Sequence, residues 1–280
     1  MKNTVLKTAV ALLLFVFVSL PSVFGENIRY TDKDVAIFNE VVSFAKENSS
    51  LPTSELVVQI ALHLLETPYV AATLEQEPEM LTINMGETDC ILFVEMCVAL
   101  AVTIKEGDLS FESYCDNVRN FRYRDGVVDG YVSRIHYTSE WISQNSERGY
   151  MTEISSELGE VLDQDFSYMS VHSDSYKQLK DCPDRVREIR RVEEELSGDK
   201  PFYFLSQRGI RKNESKIKNG DIVCFVSPVE GLDISHVGLA YWVDDELKFI
   251  HASYKEKKVV IDKQTIAGYA KNGIRLVRLK

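Results

Sequence analysis

Beyond its first 25 residues the chain has no apolar run of membrane-spanning length, so the sequence offers no second segment to a bilayer. It has no basic excess either: 32 Lys and Arg stand against 43 Asp and Glu, a formal charge of -11. A nucleic-acid binder needs a positive face, and so does adhesion to anionic lipid or polyanionic wall polymers, so the balance argues against both. There are no internal repeats, low-complexity tracts or Pro-rich linkers, and no domain boundary announces itself. H-E-x-x-H, G-x-S-x-G, G-x-x-x-x-G-K-[ST] and G-x-G-x-x-G are all missing. Zinc proteases, serine hydrolases with that elbow and the common nucleotide folds thereby lose their sequence argument. Cysteines number five, none in C-x-x-C spacing, which speaks against a zinc ribbon or thioredoxin-like motif.

What is present begins with an export signal. Lys2 and Lys7 form a positive n-region, Thr8 to Leu20 is almost wholly apolar, and Val23-Phe24-Gly25 offers small residues where a signal peptidase reads. Residues 1–25 are therefore read as a signal peptide, and the remainder as exported, periplasmic or secreted, without stable membrane insertion. Their removal takes two lysines and no acid, so the formal charge moves from -11 to -13. An odd number of cysteines in an exported chain leaves at least one thiol unpaired unless two chains link. Cys224, inside Ile222–Val226, reads as a small buried hydrophobe. Disulfides among Cys97, Cys115, Cys182 and Cys224 stay open.

The N-terminal half has helical periodicity. Val35, Phe38, Val41 or Val42 and Ala45 recur after Thr31-Asp32, and a second helix runs from about Glu55 to Leu65, capped by Thr53 or Ser54. A third starts at Cys90 with Asp89 as N-cap, and a fourth covers about Phe111 to Phe121. Residues 151–215 are the least legible, apart from a charged helix at Arg187 to Glu195, read as a solvated face. The last third changes to short runs rich in β-branched and aromatic residues: Ile222–Val226, Val237–Trp242, Leu247–His251, Val259–Ile261 and Ile274–Leu279. Asp244-Asp245 joins the second and third as a hairpin. Helices followed by meandering strands predict an α+β fold with an antiparallel sheet.

Three pieces carry chemistry. Cys90 enters the first turn of an apolar helix, where the macrodipole and unpaired N–H groups favour a thiolate and a developing oxyanion. His236 opens one strand of the hairpin and His251 closes the other, which brings both to one edge of the sheet. A thiol, a base and an orienting group make a cysteine nucleophile, against the bland alternative of a buried cysteine and two unrelated histidines. Metal binding by Cys90, His236 and His251 is the chemical competitor, but no close-spaced ligand pair supports it. His63 reads as structural, while His136 and His172 sit in polar surroundings.

Asp89-Cys90, Ser235-His236-Val237-Gly238 and His251-Ala252-Ser253, with Gly220-Asp221-Ile222-Val223 before the first histidine, resemble the NlpC-type superfamily of papain-like cell-wall hydrolases. Thr67-Pro68-Tyr69-Val70, Phe93-Val94-Glu95, Arg122-Tyr123-Arg124-Asp125-Gly126, and Gly130-Tyr131 through Arg134-Ile135-His136-Tyr137 with Trp141 resemble its N-acetylmuramoyl-L-alanine amidase branch. Glu66 departs from that pattern, since relatives often have a small residue there. The resemblance implies a single papain-like domain over 26–280 with a family-specific insertion around 110–215, its nucleophile helix packed on the C-terminal sheet. It implies Cys90 as nucleophile, His236 as base and His251 as orienting residue, with Tyr69, Asp89 and Ser235 on the substrate side. Arg134, with His136 and Tyr137, is the further expected substrate contact, a partly exposed arginine at the site mouth that could grip a carboxylate. Arg119 is expected to pair locally with Asp116.

The resemblance also implies muropeptides as substrates, no cofactor or metal and a monomer. The reaction it implies is thiolate attack on the amide between muramic acid and L-alanine. A stem-peptide endopeptidase and a non-catalytic muropeptide-binding protein are the alternatives; the intact trio speaks against the latter.

Overall fold

The computed structural model describes residues 28–198 and 201–280; the expected signal peptide lies outside these residues. Ten strands appear among them: β1 (Ile28–Arg29), β2 (Leu81–Thr82), β3 (Met151–Glu153), β4 (Glu160–Leu162), β5 (Phe202–Phe204), β6 (Ile222–Val226), β7 (Ile234–Val243), β8 (Glu246–Ser253), β9 (Lys258–Ile261) and β10 (Ile274–Leu279). The principal sheet is six-stranded and antiparallel throughout, in the order β3-β10-β6-β7-β8-β9. The expected antiparallel sheet and its five strands are present. The edge strand β3 comes from the stretch where the sequence was least legible.

Helices α1 (Asp32–Ala45), α2 (Thr53–His63), α3 (Cys90–Glu106), α4 (Phe111–Arg122) and α5 (Thr138–Glu147) supply the other layer. Thr31 caps α1 through a capping box with Asp34, as the Thr31-Asp32 start suggested. The cap of α2 differs from expectation: Pro52 occupies it, and Thr53 is already the first helical residue. Helix α3 is apolar on every side, with buried residues at each position from Phe93 to Ile104, because α2, α4 and the β7–β8 ribbon all pack on it. Gly107, at φ 83°, ends it in the left-handed conformation.

Strand alternation divides the core. Cys224, Val237, Leu239, Ile250, Ala252 and Val277 join the helices, whereas Val223, Phe225, Ala240, Phe249 and Leu276 face a second cluster containing Ile210 and Ile266. The hairpin turn has Asp244 at φ 48° and Asp245 at φ 66°, the pairing of left-handed residues that a tight two-residue turn demands. The charged helix spans Pro183–Gly198 and is not wholly solvated. Its Ile189, Val192 and Leu196 build a third cluster with Tyr131, Tyr137, Phe166 and Met169. On its exposed side Arg191 pairs with Glu195 one turn on, at 3.6 Å. All five cysteines are free, so the open question of disulfides resolves to none.

Candidate active site

Asp89 stands just outside α3 with extended backbone and accepts a hydrogen bond from the Leu92 N–H at 3.0 Å. That cap sets Cys90 at the first helical position, half-buried, with the backbone N–H groups of Val237, Ile91 and Cys90 itself against its sulfur. The expectation of a ready thiolate meets a counterforce. Burial, and next the Asp89 charge, push the Cys90 thiol up to about 12, and those N–H groups offset only part of this.

The β7–β8 ladder runs from Val243↔Glu246 to Leu239↔Ile250 and stops there, although both strands continue. Gly238 stands at this split, where an added Cβ would come within 2.9 Å of the Ile250 carbonyl and 3.2 Å of His251 Cβ. Beyond it the two imidazoles meet, His236 Nε2 to His251 Nδ1 at 2.6 Å, and His251 Nε2 reaches Asp262 Oδ2 at 3.1 Å. A carboxylate can only accept, so His251 Nε2 carries a proton, its Nδ1 accepts from His236 Nε2–H, and His236 Nδ1 is left with a free lone pair. Burial, with the His251 charge second, lowers the His236 pKa to about 3. The Phe225, Phe249 and Tyr269 rings surround this pair.

Asp262 was missed in the sequence. It lies just past β9, and only the β8–β9 pairing brings it under His251; an acid eleven residues after a histidine has no local signature.

Cys90 and His236 line one cleft of about 280 Å3, together with Asp89, Glu75, Arg134, His136, Tyr137, Trp141 and Ser235. Ser235 is exposed at its rim. Tyr69 is half-buried with its ring edge on Tyr254 at 5.6 Å, and its hydroxyl pKa is raised to about 12 by burial and then by Cys90 and Asp89.

The Arg134 side chain is not partly exposed as expected: only 7% of it is accessible, between Glu75 at 2.9 Å and Glu79 at 3.3 Å, because the loop before β2 folds over it. His136 hydrogen-bonds the Tyr131 carbonyl at 2.9 Å, and burial holds it neutral, its pKa lowered to about 3. The Tyr137 hydroxyl points away into the third cluster and donates to Glu193 at 2.6 Å, so this residue meets the cleft without its polar end. Arg119 pairs with Asp116, and His63 with Glu40 while stacking on Phe44. Glu66 adopts φ 73°, in the left-handed region that favours glycine, and it pairs with Lys258. Among the described residues no group of three or more His, Cys, Asp or Glu is arranged to hold a metal ion.

Fold and site together define a class: mixed helix and antiparallel-sheet proteins in which a helix-start thiol shares a cleft with a strand-borne imidazole that a second imidazole backs. Residues 59–274 match the AmiA-like family model, described as N-acetylmuramoyl-L-alanine amidase-like, and the chain belongs to that family. A solved N-acetylmuramoyl-L-alanine amidase from Bacteroides uniformis is similar at 36% identity and a TM-score of 0.76, over 81% of this chain and 99% of that one. A putative xylanase from Bacteroides fragilis is similar at 37% identity and a TM-score of 0.72, over 78% and 99%. A Legionella pneumophila protein, 19% identical with a TM-score of 0.63 over 88% and 95%, shares the fold. No curated protein matches.

Proposed function

We propose that this protein is an exported, papain-like cysteine amidase that cleaves the amide between N-acetylmuramic acid and L-alanine in muropeptides. The observation that carries the reading is the proton chain His236–His251–Asp262, which leaves a lone pair on Nδ1 of His236, a residue lining the same cleft as Cys90. Both partners rest neutral, a thiol and an imidazole, so His236 takes the thiol proton as Cys90 Sγ bonds to the lactoyl carbonyl carbon. The N–H groups at the start of α3 are placed to stabilise the resulting oxyanion. Collapse breaks the C–N bond, the His236 imidazolium protonates the departing alanine amine, and water delivered by His236 then hydrolyses the thioester. Asp262 holds His251, and His251 holds the His236 tautomer.

Membership of an amidase-like family and the likeness to the Bacteroides uniformis amidase support the bond choice. Mass spectrometry of digested muropeptides tests it. The expected products are an intact stem peptide and a sugar with a free lactoyl carboxylate. A dipeptide left on the sugar would establish the endopeptidase instead. Cys90→Ser should abolish turnover with the fold retained, and near wild-type hydrolysis by that variant would overturn the nucleophile assignment.

A further inference from the structure

A second cavity, of about 470 Å3, plays no part in the chemistry above. Ala72 and Thr73 line both it and the thiol cleft, so one short segment forms the wall between them. Its other side carries Arg29 and Lys33. The Arg29 guanidinium donates to two neutral acceptors, Thr82 Oγ1 at 3.3 Å and Met80 Sδ at 3.4 Å. Lys33 is exposed and lies along Gly86, where an added Cβ would fall 2.9 Å from its Nζ. Among the described residues neither cation has a carboxylate within ion-pair distance. Arg122 and Arg134 of the thiol cleft are both neutralised by glutamates.

The acids of the second cavity are engaged internally. Asp34 accepts from the Thr31 and Met85 N–H groups, and Glu87 from the Asn84 amide. The Thr73 hydroxyl, buried in the shared wall, has no hydrogen-bond partner. The lining balances two cations against two carboxylates, but Asp34 and Glu87 already accept from internal donors, so Arg29 and Lys33 are the charges left to meet an anionic ligand that also passes a polar backbone over Thr73.

We propose that this cavity is the stem-peptide subsite, in which Arg29 and Lys33 bind carboxylates of the peptide on the amine side of the scissile bond. The neutral sugar has no use for paired cations, whereas a stem peptide carries several carboxylates. The inference rests on the proposed function for its substrate, but its test needs no turnover.

Titration calorimetry of a free stem peptide into the Cys90→Ala protein reads the subsite directly. Lys33→Met in that background should weaken binding by about tenfold, the loss of one charge-assisted contact, and Arg29→Gln by a similar factor. A fully amidated stem peptide loses both contacts, so it should bind the parent about a hundredfold more weakly and be indifferent to Lys33→Met. Lys33 is the deciding position because its side chain is exposed and its loss leaves the thermal midpoint in place. An unchanged dissociation constant for Lys33→Met, or no binding of the peptide by the parent, overturns the subsite. A digest that shows another bond being cut overturns the proposed reaction while leaving this binding result intact.

Discussion

His236 determines the acid limb of the reaction. It must be neutral to accept the thiol proton, and burial lowers its pKa to about 3. Protonation stops the base, so activity is lost only as pH falls through that lowered value. Between pH 7 and 5.5 kcat/KM should therefore change less than about twofold, where an ordinary imidazole of pKa ~6.5 would cost roughly tenfold. A tenfold fall over that interval in a pH–rate profile would refute it. Asp262→Asn removes the charge that fixes the proton on His251 Nε2, and kcat should drop by roughly tenfold or more with KM little changed. Equal kcat for the variant would mean that His251 is oriented by something else.

At the scale of the element, α3 makes opposed demands on one residue. The Asp89 carboxylate caps the helix, yet its charge raises the Cys90 pKa. Asp89→Asn separates the two, since Asn caps as well as Asp while carrying no charge. The thermal midpoint should hold, and alkylation of Cys90 at neutral pH should accelerate; a slower reaction would show that the charge serves the thiolate. In the sheet, Gly238→Ala forces a methyl against the backbone of β8 at the split. A loss of about 1–3 kcal/mol in denaturant unfolding is expected.

Across the whole molecule, buried ion pairs tie α3 to α4 and the segment before α5 to the loop before β2. Arg122 bonds Glu95 and the Thr82 carbonyl, while Arg134 holds Glu75 and Glu79. Removing one partner of such a pair leaves an uncompensated charge, so Arg134→Ala should destabilise by about 3–5 kcal/mol, chiefly through Glu79. A variant as stable as wild type but catalytically weak would return Arg134 to the role of a simple substrate contact. The neutral His136 adds a pH term. Its pKa is depressed on folding, first by burial and then by the Arg134 and Arg124 charges, so its contribution to stability is full above pH ~6.5 and wanes as pH falls. His136→Asn should therefore gain on wild type in melting experiments between pH 7 and 5; a constant difference would contradict the shift.

The sequence by itself determined what is local. Helix starts at Thr31 and Asp89 follow from side chains that reach N–H groups within three residues, and the hairpin from two adjacent aspartates able to adopt positive φ. The meeting of His236 and His251 is nearly local too, since antiparallel pairing about a known turn sets which residues are neighbours. Tertiary structure alone decided the rest. Asp262 joins the site through strand pairing, Arg134 is buried by a loop some sixty residues earlier in the chain, and the apolar stripe of the helix at Pro183–Gly198 finds Tyr137 and Phe166. A charge is legible in sequence, but its partner, and with it the burial that sets its pKa, depends on contacts between distant segments.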